Sequence, residues 1–137
     1  MTLFSHLHVH TQYSILDGAS NISLLMDKVK SFGMEAVAIT DHGNMFGVKE
    51  FHAIALKKGI KPVIGCEIYV AKRSIADTTG KEDRSGDHLI LLAKNLTGYK
   101  NLIKLVSIAW IKGFYYKPRI DKAILAQYKD GLIASSA

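Results

Sequence analysis

The sequence is defined first by what it lacks: a second cysteine, any apolar run near the roughly 20 residues that span a bilayer, any internal repeat and any low-complexity tract. A lone cysteine, Cys66, excludes an internal disulfide framework, and its place in the apolar run 63–70 points to a buried, inert thiol. The N-terminus carries a histidine-rich polar stretch where a secretory signal would need an apolar core, so the expected address is cytoplasmic, with no membrane association. Acidic residues are outnumbered, 12 against 18 lysines and arginines, giving a formal charge of +6. That surplus favours polyanionic partners, although excess lysine also serves solubility, so alone it is weak evidence for nucleic acid. With 48% hydrophobic and 22% charged residues, the composition is that of a soluble globular domain with one core.

Short apolar runs alternate with amphipathic helical patterns. Residues 4–10, 35–40, 62–70, 88–93 and 131–135 read as strands, and residues 21–32, 48–58, 98–111 and 121–128 as helices. In the first helix Ile22, Leu25, Met26, Val29 and Phe32 share a face, Ser20 or Asn21 is the N-cap, and Gly33 is the stop. The alternation specifies an α/β fold of parallel strands with right-handed crossovers, in an open sheet or a closed barrel. Residues 71–87 interrupt it as a polar loop or hairpin insertion, with turn chemistry at Thr78-Thr79-Gly80 and Ser85-Gly86. Residues 131–135 begin a core strand that no helix follows, and a complete (β/α) barrel takes about 250 residues. The expectation is the first part of a longer domain, whose open sheet edge and exposed apolar faces favour oligomerisation or strand exchange.

In parallel α/β folds, function gathers at the carboxyl ends of strands. His6-Leu7-His8-Val9-His10-Thr11 would place three imidazoles on one face of the first strand, a pattern that suggests metal. Asp17 follows in Leu16-Asp17-Gly18, as a ligand or as a turn residue. The second strand ends in Thr40-Asp41-His42-Gly43, where Asp41 reads more readily as a cap for the next helix than as a ligand. Glu67 stands inside an apolar run, where a carboxylate is costly to bury without a cation or hydrogen-bonding partner. His6, the deepest of the three, suits a supporting hydrogen bond as well as a metal bond. His52 is alone on its helix and reads as a surface or packing residue, and His88 opens its strand, so geometry alone does not select it. Lys112, Lys117 and Arg119, interleaved with Phe114, Tyr115 and Tyr116, could bind a phosphate backbone beside stacking surfaces; the alternative is a segment packed on a neighbouring domain.

His8-x-His10-Thr11, Leu16-Asp17-Gly18, Thr40-Asp41-His42-Gly43 and Gly65-x-Glu67, in this order, resemble the polymerase and histidinol phosphatase (PHP) superfamily. Phe4-x-His6-Leu7-His8-Val9-His10-Thr11-x-Tyr13-Ser14, Gly59-Ile60-Lys61-Pro62, Asn95-x-Thr97-Gly98-Tyr99-x-Asn101-Leu102 and Gly113-Phe114-Tyr115-Tyr116-Lys117-Pro118-Arg119-Ile120-Asp121 narrow it to the branch formed by the N-terminal domains of bacterial DNA polymerase III alpha subunits. The resemblance implies that residues 1–137 are part of a distorted (β/α)7 TIM-like barrel holding up to three divalent ions. It implies His8, His10, Asp17, His42, Glu67 and His88 as metal ligands, with further ligands beyond Ala137; His6 stands where many relatives carry an aspartate, and the reading of His6 and Asp41 as supporting residues rests on the residues themselves. A mixed nitrogen and oxygen donor set suits Zn²⁺, Mn²⁺ or Fe²⁺. The implied activity is metal-dependent phosphodiester hydrolysis, a 3′ to 5′ exonuclease step on a primer end during DNA replication, within a nucleotidyltransferase whose polymerase site lies elsewhere. Implied partners are DNA, the remaining polymerase domains and replisome subunits. These residues alone are expected to hold metal incompletely and to hydrolyse poorly. A noncatalytic interaction module and a small phosphoesterase of the histidinol-phosphatase type are the rival readings.

Overall fold

The computed structural model describes residues 4–137. Six strands and four helices follow one another: α1 (Ile22–Ser31), β1 (Ala36–Ile39), α2 (Val48–Lys58), β2 (Lys61–Val70), β3 (Asp87–Ala93), α3 (Leu96–Ile111), β4 (Phe114–Tyr115), β5 (Lys117–Ile120), α4 (Lys122–Gln127) and β6 (Leu132–Ser136). A 3-10 segment, Gln12–Asp17, precedes α1.

Three of the four helices, α1, α3 and α4, start where a polar side chain satisfies free backbone donors. Asn21 accepts from the amides of Ser23 and Leu24, Asn95 from Gly98, and Asp121 from Ile124. α2 ends at Gly59, whose φ of 73° is the left-handed closure that glycine adopts without strain. Ile22, Met26 and Val29 on α1 and Phe51 and Ala55 on α2 recur at helical spacing and pack with Val37 and Ile39 of β1. Leu102, Leu105 and Ala109 of α3 close a second cluster over Cys66, Ile68 and Val70 of β2. Each large aliphatic or aromatic side chain buried this way contributes about 1.5–3 kcal/mol.

β2 is the central strand. It pairs in parallel with β1 through Ala36↔Lys61 to Ile39↔Ile64, in parallel with β5 at Tyr69↔Arg119, and antiparallel with β3 from Gly65↔Leu92 to Val70↔Asp87. β6 runs antiparallel to β3 at the opposite edge. An all-parallel sheet is therefore not what forms. Residues 71–86 return the chain directly from β2 to β3 without a crossover helix, and such a connection can make only an antiparallel neighbour. The loop contains a short 3-10 turn, Lys81–Asp83.

Residues 4–10 depart from expectation. They do not form a regular strand. His6 O accepts from Ala38 N at 2.9 Å and Val9 O from Thr40 N at 2.8 Å. Those acceptors are three residues apart, with a bend at Leu7, whereas a regular parallel ladder repeats every two residues. Side-chain alternation is lost there, and His6 is separated from His8 and His10. The stretch around residues 112–119 contains an unexpected hairpin, β4 and β5, turned through Tyr116 at φ 61°.

Candidate metal centre

β2 alternates. Cys66, Ile68 and Val70 enter the apolar core under α3, which leaves Glu67 and Tyr69 on the other face. Glu67 is 2% exposed, and four imidazoles surround its carboxylate. Oε2 lies 2.7 Å from His8 Nε2 and 3.0 Å from His10 Nε2. Oε1 contacts His88 Nδ1 and lies 3.3 Å from His42 Nδ1. Two potential ligand groups thus share one carboxylate: His8, His10 and Glu67, and His42, Glu67 and His88. Asp17 reaches the second group, with Oδ2 3.4 Å from His42 Nε2.

Topology delivers each group. His8 and His10 follow the irregular N-terminal stretch, and His42 follows β1 and bridges to Glu67 across the sheet. His88 is the first side chain but one of β3. Because β3 is antiparallel, that end lies beside the carboxyl end of β2, with His88 opposite Tyr69. Gly18 keeps Asp17 in place, since a Cβ there would stand 1.9 Å from Thr11 O. Gly43 takes φ +60° directly after His42 and donates its amide to Glu67 O at 2.8 Å.

Asp41 does not cap α2, which begins at Val48 behind Gly47. It is buried and binds the loop that carries His10. Its carboxylate accepts from Thr11 N at 2.6 Å, Thr11 Oγ1 at 2.8 Å and Ser14 Oγ at 2.8 Å. Ser14 has therefore spent its only proton on Asp41, so its oxygen accepts from His42 N at 3.1 Å and from His10 Nδ1 at 3.3 Å. That arrangement puts the His10 proton on Nδ1 and leaves the Nε2 lone pair facing Glu67 and His8. The roles of Thr11 and Ser14 had no signal in residue type or spacing; their place beside His10 in the quoted motif was the only pointer. His6 is not brought to the cluster: its ring is exposed and packs edge-on against Phe4, 4.8 Å between centroids.

Arg119 is not available to a phosphate backbone. It is fully buried, and its guanidinium donates to the carbonyls of Ile75, Asp77, Asp83 and Gly113. Lys117 is exposed, its ammonium 5.5 Å from the centre of the Tyr69 ring.

The donor set fits a divalent cation. His8 Nε2 and His10 Nε2 lie 2.8 Å apart, and with both rings neutral at least one lone pair must be aimed at the gap. Among the described residues, His42 Nδ1 is buried without a hydrogen-bond partner. A cation in each group, sharing Glu67, would answer both. Burial pushes the Glu67 carboxyl up, but the hydrogen bond from His8 and the neighbouring His42, His10 and His88 outweigh it and hold it below the usual 4.5. Burial and the adjacent His42 hold His10 below its usual 6.5, against the pull of Glu67. Both groups bind fewer protons in the folded than in the unfolded protein, so each contributes stability at higher pH that is lost on acidification: for His10 as pH falls from 6.5 through its lowered value, for Glu67 from 4.5 downward. Thermal melts of the chelator-treated chain should show Tm falling steadily from about pH 7 to about pH 5, and a Tm that rises over that interval would contradict the arrangement.

Fold and side chains together describe a (β/α) domain with a cluster of imidazoles and a carboxylate that could hold metal. The pattern described as PHP domain matches residues 6–137, and the chain belongs to that family. It is 55% identical over 137 residues to the DNA polymerase III subunit alpha of Borreliella burgdorferi and 53% identical over 135 residues to that of Treponema pallidum, each match covering 98% of the chain. The chain spans about an eighth of those relatives, 12% of their length. Among solved structures it resembles an amidohydrolase from Chromobacterium violaceum with sulfate bound (TM-score 0.55, 24% identity, 77% of this chain and 32% of the other). It also resembles a protein from Bifidobacterium adolescentis assigned as a metal-dependent phosphoesterase (TM-score 0.54, 20% identity, 80% and 34%). These likenesses establish the (β/α) fold. Among the described residues no helix is long and apolar enough to cross a membrane.

Proposed function

We propose that the chain is the metal-holding part of a metal-dependent phosphodiesterase, acting as a 3′ to 5′ exonuclease within a cytoplasmic DNA polymerase subunit. The observation that carries this reading is the buried Glu67 carboxylate shared by two imidazole pairs, in a chain whose relatives are replicative polymerase subunits. His8, His10, Asp17, His42, Glu67 and His88 would hold the ions, with Zn²⁺, Mn²⁺ or Fe²⁺ suited to the donors. Bound ions would lower the pKa of a coordinated water and neutralise charge on the phosphate and leaving oxygens.

The chain's own groups supply the rest. Ser14 and Asp41 keep the proton of His10 on Nδ1, so Nε2 stays a donor of electrons without a change in tautomer. Glu67 brings negative charge to a place from which water is largely excluded. Asp17, exposed at the rim, can move toward an incoming ion more freely than Glu67 can. Lys117 adds positive charge at the outer edge, where a phosphate approaches.

The test uses the full polymerase subunit that contains this domain. Purified protein should carry transition metal by elemental analysis and shorten a 3′-labelled primer, and the double substitution His8→Ala, Glu67→Ala should abolish both. Shortening that persists at the parental rate in the double variant would assign the activity to another nuclease.

A further inference from the structure

A cleft of about 550 Å³ is lined by Asp17 and His42 together with other residues of the 3-10 segment and residues of the β4–β5 hairpin. One wall is aromatic. Trp110 and Phe114 stack with centroids 5.5 Å apart and planes 22° from parallel, and Phe46 stands 6.3 Å from Trp110. All three are exposed: Phe46 by 63%, Trp110 by 42% and Phe114 by 54%. Trp110 is fixed in place, since its indole N–H donates at 2.7 Å to Gly43 O, the carbonyl next to His42. The stacking wall is therefore tied to the same short loop that positions a candidate ligand.

Two cations lie over other rings that line the cleft. Lys117 lies over Tyr69, and Arg84 lies 4.9 Å from the centre of the Tyr116 ring, itself part of the cleft lining. Planar apolar faces, positive charge and metal-type ligands in one cleft match a ligand that joins a flat ring to an anionic phosphoester.

Resting on the phosphodiesterase reading, we propose that this cleft is a nucleobase subsite, in which the base of the nucleotide being released stacks on the Trp110–Phe114 wall while Lys117 attracts its phosphate. Stacking is tolerant of base identity, because every base offers a π-face, so the subsite would accept all four nucleotides. It would discriminate against phosphoesters that lack a planar group.

Trp110 is the only tryptophan of the chain, which makes its fluorescence a direct reporter of the wall. The 137-residue chain is titrated without metal with deoxyadenosine 5′-monophosphate and, separately, with deoxyribose 5-phosphate. Saturable quenching by the nucleotide at least about fivefold tighter than any response to the sugar phosphate is expected, the lower end of what one stacked base contributes. Phe114→Ala and Phe46→Ala, both at exposed positions, should reduce nucleotide affinity toward that of the sugar phosphate and leave the latter unchanged. Lys117→Ala should weaken both ligands alike. Equal affinity for the two ligands, no quenching at all, or nucleotide binding unaffected by both aromatic substitutions overturns the subsite. The failures separate: metal-dependent cleavage of bis(p-nitrophenyl) phosphate by the full subunit, with nucleotide and sugar phosphate bound alike, removes the subsite alone, and tighter binding of the nucleotide without such cleavage keeps the subsite and removes the phosphodiesterase reading.

Discussion

Glu67→Gln is expected to lower the metal affinity of the chain by more than about 100-fold, beyond what is lost when only a residue supporting a ligand is changed. The substitution keeps the volume of the side chain and its place on β2, so the core under α3 is undisturbed. What changes is the inventory of lone pairs. Oε2 serves His8 and His10, and Oε1 serves His42 and His88. An amide has one oxygen and one NH₂, and the NH₂ only donates. Whichever way the amide turns, one imidazole pair faces hydrogens instead of an electron pair, and a cation there would meet a repelling dipole. Calorimetric titration with zinc at fixed pH measures the loss. Asp17→Asn serves as the comparison, because the exposed Asp17 touches only His42, at 3.4 Å, and its loss should cost far less. Parental affinity in Glu67→Gln would remove the shared carboxylate from the centre of the site.

How these groups meet was only partly legible in the chain. The helices were readable because their signals are local: caps at Asn21, Asn95 and Asp121, stripes at helical spacing, and Gly59 as a stop. Glu67 was readable because a carboxylate in an apolar run is an energetic anomaly at any level of description. His88 was not, because its value depends on strand direction. At the start of a parallel strand it would lie at the end of the sheet away from the site; the 71–86 return makes β3 antiparallel and carries it to Glu67. His6 failed for the complementary reason. Equal spacing in sequence implies a shared face only while the ladder is regular, and the bend at Leu7 breaks the repeat. Asp41 shows a third limit: an acid before a helix looks like a cap until the fold brings Thr11 and Ser14 to it from a segment some 30 residues earlier.

Arg119→Ala is expected to destabilise the domain by about 3–5 kcal/mol, the cost of leaving several buried carbonyls without their donor and of losing a fully buried side chain. For a chain of this size that is roughly 10–20 °C in Tm. Arg119 has no carboxylate against its guanidinium. Its charge is held by carbonyl dipoles, from Gly113 on Nε at 3.1 Å, Asp83 and Asp77 on Nη1 at 2.6 and 3.2 Å, and Ile75 on Nη2 at 3.0 Å, with the Tyr115 ring 5.4 Å away. Three of these carbonyls belong to the loop joining β2 to β3, so one side chain on β5 stitches a segment with little secondary structure to the sheet. Arg73 completes the fastening from outside: its two bonds to the Asp83 carboxylate hold that carboxyl below the usual range. Arg119→Lys should rescue little, since a single ammonium cannot span carbonyls that a planar five-donor fork reaches. The stitched loop leads into His88, so the loosened variants should also bind metal more weakly. A phosphate-binding arginine would behave in the opposite way, leaving Tm unchanged and weakening DNA affinity in a salt-dependent manner. Melting and metal titration of Arg119→Lys and Arg119→Ala decide between the two, and an unaltered Tm in both would falsify the structural role.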